Sequence, residues 1–414
     1  MKGENIVTSM IKIAFGSVPK DGGTFTFYRN QRPALLQRGF DLRCVTVGSR
    51  EVALTEQDYV DDGCVFLAEK EVYHKKQAQA FVEWCEVEDV QIVIAVNSEG
   101  VLSALPHLPE RIRVISRCAN AFDEGYRYGT ICQERYAAMV ALTPRLQKDL
   151  VADYGANPEL FRLIPNGIDP KRFELAAAVE RGEQKILQLG FLGRLEHKQK
   201  GVLYLPEVVN YLREQQVDFK LRIAGKGIHR EELEGKMAAA IKDGQVEFVG
   251  QLTPDEIPEF LGSIDLYLFT SHFEGCPNAL LEAMMAGCVP VSWIIDGITD
   301  FLLDDNKTGA LVAMGDCQAF ALRIIHLGKE RDLVSSLSKN AALNAKEKLS
   351  TKRAANAYAE MFHDVMNAPA PAWTPRPWSE FQVDPIFAKN WKSWIPESFK
   401  NQVKHIIRVC GLRR

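Results

Sequence analysis

The run LYLFTSHFEGCPNALLEAMMAG, from Leu266 to Gly287, decides the fold. Its first four residues, Leu266–Phe269, are wholly apolar and read as a short buried strand. A loop containing Gly275 follows, and Pro277 marks a helix start, because proline fits where the first helical N–H has no partner. A strand feeding a glycine loop and then a helix is how a doubly wound sheet presents free backbone amides, carrying roughly half a positive charge, to an anion. Glu274 stands on the loop, and Glu282 lies in an otherwise small, apolar helix. Eight residues of helix rise about 12 Å, beyond the roughly 5–9.5 Å between the paired carboxylates that cleave glycosidic bonds. The two glutamates are therefore expected to touch separate parts of one long ligand.

Outward from this run, short apolar stretches alternate with helical patterns, as in parallel sheets built from βαβ units. Before it in the second half come Ile186–Leu192, Lys220–Ala224 and Val246–Val249; after it come Val289–Trp293 and Gly309–Val312. The first half repeats the rhythm with Ile11–Phe15, Leu42–Val47, Gln91–Val96, Arg113–Ser116 and Ala137–Leu142. Thr143 to Asp153 reads as a helix opened by Thr-Pro and stopped at Gly155, and Thr253-Pro-Asp-Glu256 as a capping box opening another. The polar, strand-free stretch from Asn166-Gly-Ile-Asp169 to about Gln184 reads as a hinge. Two domains result, over residues 1–170 and 171–350, with a closing helix and extension over 351–414. Any ligand is expected between the carboxyl ends of the two sheets.

Length and charge narrow the class further. At 414 residues the chain exceeds what one core organises. A formal net charge of −4 leaves no electrostatic footprint for nucleic acid. The nine cysteines are scattered, with no CxxC pair, so neither zinc nor a redox motif is indicated. No apolar stretch reaches the roughly 18 residues needed to span a bilayer, and the N-terminus carries no apolar signal core. A reduced, cytoplasmic compartment is expected.

Three further features line up with the Glu274 run. The strand Ile186–Leu192 leads into Gly193-Arg194, with Lys200-Gly201 just beyond: two fixed cations flanked by glycines suit a multiply charged phosphate leaving group. The strand Leu221–Ala224 ends in the glycine turn Gly225-Lys-Gly227. Val246–Gly250 places Phe248 at a strand end, where an apolar side chain could hold a planar base or simply pack in the core.

Arg194 and Lys200, Glu274-(seven residues)-Glu282, and Gly287-Cys-Val-Pro290-Val together resemble the retaining glycosyltransferases of family 4, which have the two-domain GT-B fold. The likeness runs from Ile11 to about Met366 and includes Asp21-Gly-Gly23, Arg38-Gly-Phe40 and Pro165-Asn-Gly-Ile-Asp169. It implies an α/β protein of two Rossmann-like domains facing across a cleft. It implies an enzyme moving a sugar from a nucleotide diphosphate sugar to a glycan, lipid-linked or small-molecule acceptor in polysaccharide or glycolipid synthesis, with retained configuration. By the same resemblance Arg194 and Lys200 neutralise the donor diphosphate and Glu274 touches the transferred sugar. Glu282 accepts hydrogen bonds from the ribose. Gly193, Gly225, Phe248 and the Gly275-Cys276-Pro277-Asn278 helix start line the donor, with Gly22 and Gly23 approaching it from the first domain.

Two positions depart from the family pattern. Where many relatives carry a histidine near the reacting carbon, this chain reads Ile115-Ser-Arg117-Cys-Ala-Asn120-Ala-Phe-Asp123, so Arg117, Asn120 and Asp123 are the acceptor-side candidates. Asp296-Gly297-Ile-Thr-Asp300 replaces the usual two glycines and glutamate. No Asp-x-Asp stands at a strand end, so no divalent metal and no cofactor are expected; Asp61-Asp62 and Asp304-Asp305 read as turns. A sugar-nucleotide 2-epimerase on the same fold and a non-catalytic sugar-nucleotide-binding protein are the alternatives. The tail holds four of the six tryptophans (373, 378, 391 and 394). From Phe399 its pattern is amphipathic and basic. It is expected to pack on the first domain or to lie on an anionic membrane at the cytoplasmic face.

Overall fold

The computed structural model describes residues 10–19, 22–48, 56–181, 186–369 and 372–387. Two all-parallel sheets organise them. The first contains β1 (Ile11–Gly16), β2 (Phe40–Val47), β3 (Cys64–Leu67), β4 (Ile92–Ala95), β5 (Arg113–Cys118), β6 (Tyr136–Ala141) and β7 (Phe161–Leu163), in the order β3-β2-β1-β4-β5-β6-β7. The second contains β8 (Leu187–Leu192), β9 (Phe219–Ala224), β10 (Val246–Gly250), β11 (Leu266–Phe269), β12 (Val289–Trp293) and β13 (Ala310–Val312), in the order β10-β9-β8-β11-β12-β13. Helices cover both faces, which is why central strands such as β4, β11 and β12 are buried along their whole length and read as unbroken apolar runs.

The order in which strands are added reverses once in each sheet, between β1 and β4 and between β8 and β11. A crevice opens beyond the carboxyl ends of the strands at such a reversal. The loops after β1, β4, β8 and β11 are therefore the ones that face any ligand.

The eleven strands anticipated from the sequence all form, and β3 and β7 are additional. Both are short; two of the three β7 residues are exposed, whereas β3, Cys-Val-Phe-Leu, is apolar but only partly buried beyond Cys64. The helix Pro144–Tyr154 ends at Gly155 in the left-handed region, as its sequence predicts. The capping box is corrected. Glu256 reaches back to the Thr253 N–H at 2.7 Å, but residues 254–256 form a turn and the helix starts only at Ile257. The reciprocal cap from Thr253 is absent: its hydroxyl also turns to Glu256, at 2.8 Å.

The chain crosses between domains twice, side by side. Ile168 donates to Leu349 O at 2.8 Å and accepts from Thr351 N at 2.9 Å. The helix Thr351–Asn367 then lies on the first domain, packing Tyr358 against Phe27 and Phe362 against Phe40. Residues 372–387 continue as a strap over the same domain. Trp378 stacks on His107 at 4.2 Å, Arg376 O meets His107 Nδ1 at 2.6 Å, and Phe387 is buried beside His74 and Tyr128. The amphipathic segment from Phe399, with Trp391 and Trp394, lies outside the described residues. Among the described residues no helix is long and apolar enough to cross a membrane.

Candidate active site

The loop after β8 and the loop after β11 meet around one carboxylate. Lys200 Nζ donates to Glu274 Oε1 at 2.6 Å, Ser271 Oγ to the same oxygen at 2.8 Å, and Gln199 Nε2 to Oε2 at 3.3 Å. Arg194, exposed at the rim, donates in turn to Gln199 Oε1. The lysine and glutamate side chains are only 16% and 6% exposed, so their attraction is weakly screened. The residues expected to act together thus form one connected set. Asp21, in front of the first-domain glycines, lies outside the described residues.

The strand ends fit this closely because glycines allow it. Gly225 has φ near 139°, and a Cβ there would lie 1.8 Å from Gly193 O. Any side chain at 225 would push the cation-bearing loop off the sheet. Phe248 packs partly buried against the second-domain core, with the Arg230 guanidinium 5.7 Å from its ring centroid.

Pro277 stands immediately before the helix Asn278–Met285, whose first turn is tied locally, Asn278 N donating to Cys276 O at 3.0 Å and Leu280 N to Pro277 O at 2.9 Å. Glu282, on the next turn, is 7% exposed, and no hydrogen bond or ion pair to its carboxylate is found among the described residues. Burial raises its pKa from 4.5 to about 7, with Arg172 opposing the shift. Burial, followed by the charges of Glu274 and Glu282, also holds the Tyr267 phenol well above its ordinary range. An acceptor-only carboxylate kept dry and unpaired is suited to receive hydroxyl donors from a ligand.

The first domain closes on this junction. Thr143 Oγ1 donates to Gly275 O at 3.2 Å, and a Cβ on Gly275 would sit 2.1 Å from Ala119 O. A Cβ on Gly23 would lie 3.2 Å from Asn278 Nδ2, placing the Gly22-Gly23 loop against the helix start. At the rim, Arg145 N donates to Gly297 O at 3.2 Å and Lys148 pairs with Asp296 at 3.1 Å. The segment that departs from the family pattern is thus an interdomain contact.

The three acceptor-side candidates separate. Asn120 borders the crevice, its neighbour Ala119 touching Gly275. Asp123 is exposed and held by Arg127 at 2.9 Å and Tyr154 at 2.9 Å, which keep its carboxyl below the ordinary range. Arg117 corrects the expectation: it is 1% exposed, flat against Phe27 and bonded to Tyr358 and Asn166 inside the protein. A residue at the end of a strand reads as cleft-facing, but β5 ends beneath the closing helix, which covers this side chain. Sequence reasoning also missed Gln199, Ser271, Thr143 and Asn166. The first two flank identified motifs; no linear spacing signals the others.

Residues 187–330 match the family model described as Glycosyl transferases group 1. A 2-deoxystreptamine glucosyltransferase of Streptomyces kanamyceticus is 31% identical over 174 residues, covering 40% of this chain and 45% of the relative. The amylovoran biosynthesis glycosyltransferase AmsK of Erwinia amylovora is 31% identical over 201 residues, covering 46% and 47%. The matched stretch thus spans just under half the length of these relatives. A solved glycosyltransferase from Rickettsia africae superposes with a TM-score of 0.71 at 14% identity, over 87% of this chain and all of that one. The Anabaena protein HepE, solved with UDP, gives 0.68 at 16% identity, over 86% of this chain and all of its own. These two likenesses share the two-domain GT-B architecture.

Proposed function

We propose that this chain, whose residues 187–330 form a group 1 glycosyltransferase domain, transfers a sugar from a nucleotide diphosphate sugar to an acceptor during synthesis of a polysaccharide or other surface glycan. The observation that carries this is the convergence of Lys200, Glu274 and the Asn278 helix start on one crevice, with Arg194 reaching it through Gln199. Breaking a glycosyl–phosphate bond puts negative charge on the leaving oxygen. Two cations beside the start of the helix, where its dipole is positive, answer that charge, and losing one such group costs roughly 3–4 kcal/mol of barrier lowering.

Arg194 and Lys200 take the diphosphate, with Lys200 then shared between Glu274 and phosphate. Glu274 faces the transferred sugar and Glu282 the ribose. Neutralisation by these groups makes the reaction metal-independent, and the acceptor attacks from the face the leaving group departs, retaining configuration. The acceptor enters from the first domain beside Asn120. The basic, amphipathic stretch from Phe399 brings the enzyme to an anionic membrane surface when the acceptor is lipid-linked.

Thermal shift with uridine and guanosine diphosphate sugars tests this. A ligand far above its dissociation constant stabilises by a few kcal/mol. One of the two classes is expected to raise the midpoint equally with and without EDTA, and Lys200→Ala to abolish most of the shift. Full stabilisation in that variant, or none by either class in the wild type, would count against the assignment. Epimer formation without acceptor would favour the 2-epimerase.

A further inference from the structure

Arg117 is a fully buried cation with no carboxylate partner among the described residues. Its Nε donates to Tyr358 Oη at 3.1 Å, its Nη2 to Asn166 Oδ1 at 2.7 Å, and its guanidinium carbon lies 3.8 Å from the Phe27 ring centroid; Nη1 has no partner. Burying a charge on neutral groups alone is costly. The arrangement therefore calls for a reason beyond packing, and the direction of its hydrogen bonds supplies one.

A guanidinium has donors and no acceptor, so the end of the Asn166 carboxamide facing it is the oxygen. The other end, a pure donor, must then meet an acceptor, and it meets Asn278 Oδ1 at 2.7 Å. That contact leaves the amide hydrogens of Asn278 turned toward the crevice, where Nδ2 stands 3.2 Å from the position of a Cβ on Gly23. The chain of donors and acceptors runs from β5, through the crossing segment, to the first residue of the donor helix. Reversing Asn278 would set its NH2 group against the NH2 group of Asn166.

We propose that Arg117 and Asn166 are positioning residues that fix the carboxamide of Asn278 with its N–H group toward the crevice, as a donor to a phosphate oxygen of the bound nucleoside diphosphate. The inference rests on the donor reading above and deepens it. It also gives the buried cation a task in the second domain, although the residue belongs to the first.

Asn166→Asp discriminates a positioning role from a structural one. The new carboxylate still accepts from Arg117, and pairs the buried charge better, so the melting midpoint should hold or rise. As an acceptor at both ends, it forces Asn278 to turn its NH2 group inward and its oxygen toward the phosphate. Calorimetric titration with uridine diphosphate and guanosine diphosphate is expected to show affinity at least tenfold weaker in Asn166→Asp than in the wild type. Asn278→Ala should lose a similar factor, and the double variant no more than Asn278→Ala alone. Affinity within threefold of wild type in Asn166→Asp overturns the inference while leaving the donor reading intact. So does a loss that comes with a lowered midpoint, or a double variant whose losses multiply. Wild-type protein that binds neither diphosphate overturns the donor reading itself, and this inference with it.

Discussion

At the scale of single residues, the site is built from charges held where water would otherwise not leave them. Glu282 makes the clearest case, because its folded-state pKa lies near 7 against an ordinary 4.5. A raised carboxyl pKa means the unfolded state releases its proton more readily, so stability is full below about pH 4.5 and declines as pH rises through about 7. The shift corresponds to roughly 3 kcal/mol at pH 8. Glu282→Gln is therefore expected to melt higher than the wild type at pH 8 and alongside it near pH 5, as calorimetry at the two values would read. The same variant should bind uridine diphosphate or guanosine diphosphate at least tenfold more weakly at pH 8, since only the ionised oxygen pair accepts from both ribose hydroxyls. A variant less stable than the wild type at pH 8 would show that the carboxylate is stabilised, not strained, where it stands.

Among the elements, the strand-to-helix junctions were legible in the sequence and the contacts between domains were not. Leu266 to Gly287 announces itself because strand, loop and helix each carry a local signal within a few residues. The Lys200–Glu274 pair follows from it, since both loops leave neighbouring strands. Asn166 reads as a hinge in the sequence, yet its partner Asn278 is 112 positions away, and no periodicity encodes such a meeting. Arg117 was misplaced for the same reason: what covers β5 is the closing helix, more than two hundred residues on. Gly275 shows what such a contact demands. It is a loop glycine in the sequence, but in the fold its missing side chain lets the loop after β11 touch Ala119. Gly275→Ala should push the loops apart, costing about 1–3 kcal/mol in stability. Donor turnover should fall at least tenfold. Unaltered turnover would mean that the domains need not close to this distance.

For the molecule as a whole, the two crossings at 168 and 350 and the strap over 372–387 make the first domain depend on the chain's last third. The helix Thr351–Asn367 supplies the Tyr358 and Phe362 side chains that complete the first core. The strap adds Trp378 on His107, Arg135 beside Trp373 at 5.4 Å, and the buried Phe387. Two truncations separate its structural contribution from that of the segment beyond it. A chain ending at 387 keeps every described contact and should melt with the full-length protein, yet lose pelleting with anionic vesicles if the amphipathic stretch from Phe399 is the membrane contact. A chain ending at 367 exposes His107, His74 and Tyr128, and burial of a large aromatic is worth about 1.5–3 kcal/mol. For a domain of this size each kcal/mol moves the midpoint by roughly 2–4 °C. The first-domain transition should therefore drop by several degrees while uridine diphosphate or guanosine diphosphate still stabilises the second. Equal melting of the 367 and 387 chains would reduce the strap to a surface ornament, leaving the closing helix as the last third's contribution to the first core.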